Sequence, residues 1–87
     1  MNQETESLIE VIENDEYLYL TVQSCLSVAE CSNDPHGSME KWLKEWVTDT
    51  LFAGENQIAI YVRLVLIPKI DFSAMAAYFL DDEFTEN

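Results

Sequence analysis

The sequence predicts an all-α fold, a compact bundle of four to five short helices, and three observations predict it. Residues 38–53, "SMEKWLKEWVTDTLFA", place Met39, Trp42, Leu43, Trp46, Val47 and Thr50 on one stripe of helical period. Residues 71–82, "DFSAMAAYFLDD", repeat the pattern with Phe72, Met75, Ala76, Phe79 and Leu80. A chain of 87 residues has room for one core, so residues 1–87 read as a single helical domain.

At the start of the chain, Ser7 and Glu10 have the spacing of a capping box, and Leu8, Val11 and Ile12 give a short helix one apolar face. A second helix is expected from Asn14, aligning Leu18, Val22, Cys25, Leu26 and Ala29. Asp15 and Glu16 then lie near its N-terminus, where the macrodipole favours negative charge. The stretch "CSNDPHGS", residues 31–38, reads as a loop on composition. For residues 38–53, Ser38 is the expected N-cap and Gly54 the left-handed residue that ends the helix. Lys41–Glu45 and Glu40–Lys44 have the i,i+4 spacing of surface ion pairs.

The segment "ENQIAIYVRLVLIP" fits two patterns. Ile58, Ile60, Val62, Leu64 and Leu66 alternate as a strand would, whereas Ile58, Tyr61, Val62, Val65 and Leu66 share one face of a helix. Helix is the preferred reading, because a lone strand has nothing to pair with. The alternative is an α+β fold with a small hairpin built from residues 17–22 and 57–67. Asp71 is the expected N-cap of the last helix, with Ile70 packing on Met75 as a hydrophobic staple. Asp81, Asp82 and Glu83 then crowd its negative end and oppose the macrodipole, so helix stability does not explain them.

Charge is the chain's strongest compositional signal. It has 17 Asp and Glu against 4 Lys and Arg, a formal charge of −13. With 48% hydrophobic residues it nevertheless has the material for a core. Nucleic acid, anionic membranes and acidic substrates would meet like charge, whereas a basic protein surface, a polycation or a divalent metal is the complement. The start, "MNQETESLIE", lacks the basic and apolar regions of a secretory signal. The longest aliphatic run, "LVLI", is far short of the roughly 20 residues of a membrane span. Cys25 and Cys31 read as reduced thiols, and the expected compartment is the cytoplasm of a host cell.

No residue set stands out for catalysis or for a cofactor. Cys25, Cys31 and His36, with Asp34 as a fourth ligand, match no common zinc spacing, so no metal site is assigned. His36 is the single histidine, and nothing marks a nucleophile or an orienting group beside it. The expectation is a protein that is not an enzyme. Trp42 and Trp46 sit on the apolar stripe of their helix and read first as core, with a dimer contact through part of that stripe as the second reading.

The run from about Gly37 to Asp82, closing in "KIDFSAMAAYFL", together with the opening "IENDEYLYLTV", resembles a group of short acidic all-α proteins of phages, plasmids and other mobile elements. The resemblance implies a helical fold and a mobile-element origin, and it carries over no catalytic residue. By size, acidity and lack of motif, the functional classes it resembles are anti-CRISPR and antirestriction proteins. These imply an inhibitor that imitates nucleic acid and binds the basic surface of a host defence protein. The residues expected to carry such binding are Glu6, Glu10, Glu13, Asp15 and Glu16 near the start and Asp81, Asp82 and Glu83 near the end. The alternative is an acidic interaction module or homodimer without mimicry, for which the same carboxylates are a solvated face.

Overall fold

The computed structural model describes the backbone of residues 1–85 and the side chains of residues 1–81. Five α-helices follow one another: α1 (Gln3–Asn14), α2 (Glu16–Ala29), α3 (Pro35–Trp46), α4 (Gln57–Tyr61) and α5 (Phe72–Thr85). A π turn, Val47–Leu51, extends α3, and a second, Val62–Leu66, extends α4 into a short 3-10 turn, Ile67–Lys69. Among the described residues there is no β-strand. Residues 17–22 lie inside α2 and residues 57–66 form α4 with its π turn, so the hairpin alternative falls.

Side-chain caps set most helix starts. The Asn2 carboxamide accepts from Thr5 N–H at 2.9 Å and opens α1, while Ser7 and Glu10, expected to open it, lie in its interior. Asparagine caps as well as serine, and spacing alone cannot rank two candidate caps five residues apart. Asp15 is the one residue between α1 and α2. Its N–H closes α1 on Ile12 O, and its carboxylate accepts from Leu18 N–H at 3.0 Å to open α2. Helix α3 begins three residues before the expected Ser38 cap. Asp34 is the cap, accepting from Gly37 N–H at 3.1 Å, and Pro35 takes the first helical position, where its missing N–H costs nothing. The second half of the expected loop is therefore helical. Asp71 caps α5 as expected, accepting from Ala74 N–H at 3.0 Å.

The first π turn, Val47–Leu51, carries β-branched Val47, Thr48 and Thr50. The chain then leaves the helix at Phe52, whose N–H reaches Val47 O, and turns through Gly54 at φ +148°, a backbone state open to glycine. After α4, Pro68 offers no N–H to the Leu64 carbonyl and its ring would collide with it. The backbone widens before the proline, with Ile67 N–H on Val62 O, and tightens to 3-10 across it.

Ile12, Val22, Leu26, Met39, Leu43, Val47, Met75, Ala76 and Phe79 are completely buried and form the centre of the core. Helices α3 and α5 make the most extensive contact in the molecule, and α1 and α2 complete the bundle. Trp46 is buried and stacks on half-buried Trp42, with ring centroids 5.0 Å apart and planes 16° from parallel, so the tryptophan stripe is core. The expected Lys41–Glu45 and Glu40–Lys44 pairs do not close, whereas His36 Nδ1 approaches Glu40 Oε1 at 3.9 Å.

Candidate partner-binding surface

Helix α1 divides its residues between two faces. Thr5, Leu8, Ile9 and Ile12, at i, i+3, i+4 and i+7, are buried against the bundle. Glu6, Glu10 and Glu13, at i, i+4 and i+7, are exposed along one stripe that flanks this face. The expected anchor set was Leu8, Val11 and Ile12, and it is corrected at one position. Ile9 is buried and Val11 is 55% exposed. Val11 lies one step beyond the buried arc and lines a groove instead.

Polar ties to the far end of the chain hold α1 in place. The Asn2 carboxamide donates to Lys69 O at 2.6 Å. The Thr5 hydroxyl, fully buried, accepts from Asp71 N–H at 2.8 Å. Tyr78 donates to Glu13 Oε2 at 2.8 Å, which fixes one carboxylate of the stripe directly. The contacts step from 2 to 13 on one segment and from 69 to 78 on the other, so α1 runs alongside α5 in the same direction. Its glutamates are carried by a docked helix.

Asp15 and Glu16 continue the negative edge. Both are exposed, and they line shallow hollows that also touch Glu10 and Asn14. Residues 1–40 contain nine carboxylates and no Lys or Arg, so no cation of that segment neutralises the edge. Asp81 is exposed in a different place, a depression between the ends of α2, α3 and α5 that it shares with Glu30, Asp34 and His36. The side chains of Asp82 and Glu83 lie outside the described residues. Sequence reasoning missed Glu30 and Asp34 as neighbours of Asp81, and the Asp-Pro pair that caps α3 was the available signal for Asp34.

Between α1 and the π turn Val62–Leu66 lies an open groove of about 430 Å³, walled by Leu8, Val11, Phe52, Val62, Leu66 and Ile70. Its walls are apolar and Glu4 stands at its edge.

The remaining reactive groups are accounted for locally. His36 Nε2 lies 3.0 Å from the Ser73 carbonyl, an acceptor, so this nitrogen carries the proton and donates it there. Ser73 Oγ is 3.4 Å from the same nitrogen and Glu40 is 3.9 Å from the other. Cys25 and Cys31 are both free thiols. Burial pushes the Cys25 thiol up to about 11. Among the described residues no group of three or more His, Cys, Asp or Glu is placed to hold a metal ion, and no helix is long and apolar enough to cross a membrane.

Comparison with protein families, curated proteins and solved structures finds no match. The functional reading therefore rests on the residues of this chain.

Proposed function

We propose that this chain is a non-enzymatic inhibitor that binds the basic, nucleic-acid-binding surface of another protein. The carrying observation is the Glu6–Glu10–Glu13 stripe. Its carboxylates flank the face by which four buried residues anchor the helix, and one of them is held by Tyr78. Neighbouring glutamates at i,i+4 on a helix stand roughly 5–6 Å apart at Cβ, an interval similar to that between phosphates along a strand. Fixing the charges in advance lowers the entropic cost of presenting them to a cationic groove. A protein that only needed solubility would gain as much from carboxylates on untethered segments.

The target fitting this surface is a defence nuclease or its nucleic-acid channel, the anti-CRISPR or antirestriction mode of action, in the cytoplasm of a host that carries a phage or other mobile element. The chain's own charge keeps it away from nucleic acid and from anionic membranes. The test is a pull-down from host lysate at low and high salt, followed by the exchange of Glu6, Glu10 and Glu13 together for Gln. The exchange keeps size and helix propensity and removes three charges. Affinity for the captured partner should fall and its salt dependence should flatten. Unchanged affinity and unchanged salt dependence would reduce the stripe to a solvated face. A plain interaction module is the second reading, favoured by the apolar groove beside α1.

A further inference from the structure

Helix α4 and its π turn, residues 57–66, carry apolar residues on every side but are covered on only one. Ala59 and Val62 are buried against the bundle, followed by Ile67. The solvent side presents Ile58 at 77% exposure, Tyr61 at 54%, Leu64 at 74% and Val65 at 37%. At the α-helical step Ile58 and Tyr61 lie about 60° apart, and exposed Leu64 and Val65 follow on the wider π turn. The only cation of the segment points elsewhere: Arg63 Nη1 donates to Phe52 O at 2.8 Å and is half-buried. This polarity is the reverse of a surface helix, and a helix apolar all round belongs in an interior.

Charge marks the same segment. Residues 56–70 are the longest stretch of the chain without Asp or Glu, and they hold Arg63 and Lys69, two of its four cations. In a chain of formal charge −13, most surfaces would repel a second copy. On this face two copies meet without opposing carboxylates. A basic partner, by contrast, is drawn to the α1 stripe and away from Arg63 and Lys69. The four side chains expose apolar area on the order of 500 Å², at the upper end of what monomers leave open. Doubling by symmetry gives about 1,000 Å², the lower bound of a specific interface and enough for a weak dimer.

The structure assigns this face to a second copy of the chain: two molecules pair about a two-fold axis through Ile58, Tyr61, Leu64 and Val65. In such an isologous contact, Ile58 of one copy meets Val65 of the other and the reverse. The face contains none of Glu6, Glu10 and Glu13, so pairing and the proposed inhibition use separate surfaces.

Sedimentation equilibrium across the micromolar range tests the assignment. The expected mass rises towards twice 10.0 kDa, and association strengthens with added salt because screening relieves repulsion between the two acidic copies. This is opposite in sign to the salt response of the inhibitory contact, so the two proposals fail separately. Leu64→Asp and Ile58→Asp should each give a monomer with the parent's circular dichroism, whereas Val28→Asp, on the exposed side of α2, should leave the dimer intact. A chain that stays monomeric throughout, a dimer that survives both α4 changes, or one that Val28→Asp alone dissociates would overturn the assignment. Should the α4 variants fail to fold, hydrogen exchange of the parent decides. Amides of residues 57–66 slowing as concentration rises supports the pairing, and no dependence on concentration refutes it.

Discussion

Replacing Thr5 by Val tests whether α1 is held by a specific polar tie or only by its apolar face. Thr5 is fully buried, and its hydroxyl is the acceptor for Asp71 N–H at 2.8 Å, at the point where the chain enters α5. Valine keeps nearly the same shape but cannot accept. A buried N–H left without a partner costs about 1–3 kcal/mol. The added methyl returns about 0.8 kcal/mol of burial. The difference is about 0.2–2.2 kcal/mol, and because Asp71 is itself exposed and water can reach part of the site, the net loss falls in the lower half of it, about 0.2–1.2 kcal/mol. Thr5→Ser keeps the acceptor and loses one buried methyl, about 0.5–1.5 kcal/mol. The two losses overlap in size, so stability alone does not separate them. Urea unfolding gives the totals, and hydrogen exchange at the Asp71 amide gives the cause. Protection there should vanish in Thr5→Val and persist in Thr5→Ser. A Thr5→Val protein as stable as the parent, with its Asp71 amide still protected, would refute the tie and leave α1 to its apolar face and to the Asn2 and Tyr78 contacts.

Two further outcomes follow from the core and from Cys25. Trp46→Ala removes a buried ring stacked on Trp42 and should cost about 3–5 kcal/mol by chemical denaturation; a loss of self-association with stability intact would instead mark the ring as a contact surface. Cys25, with its thiol pushed up to about 11 by burial, should react with a water-soluble maleimide at pH 8 about 100-fold more slowly than an unperturbed thiol. Exposed Cys31 should label first, and the gap should narrow as pH rises towards 11; equal rates at pH 8 would contradict the burial. The same shift adds stability that is complete below pH 9 and is lost between pH 9 and about 11, visible as a falling unfolding midpoint in that window.

Local signals made most of the fold legible. Asp71 before Phe72 gives both cap and stripe within a few residues, and α5 begins where the sequence places it. The errors arose where two local signals compete. Ser7 with Glu10 imitates a cap inside α1 because acidic helices place glutamate everywhere, while Asn2 does the capping. Ser38 lost to Asp34 because Asp-Pro starts a helix more sharply than serine alone. For residues 57–66 helix was the right choice over strand, but a segment apolar all round does not reveal which face turns inward. That is settled by Arg63 reaching Phe52 O and by Val62 packing in the core. Of the candidate surface, the Glu6–Glu10–Glu13 stripe is periodic and could be read directly. The meeting of Asp81 with Glu30 and Asp34 depends on how three helix ends converge, and no spacing encodes it.

The ties of α1 to residues 69, 71 and 78 also order events in time. Each joins residues separated by 65 to 67 positions, so none can form until both segments have been synthesised. Helix α1 is thus locked only after residues 69–78 are in place. Until then α1 can already pack on α2, its more extensive neighbour, and its exposed glutamates add like charge between copies of the chain. Closure of such distant contacts sets a late step in folding. The acidic stripe is therefore fixed in position only once α5 is in place.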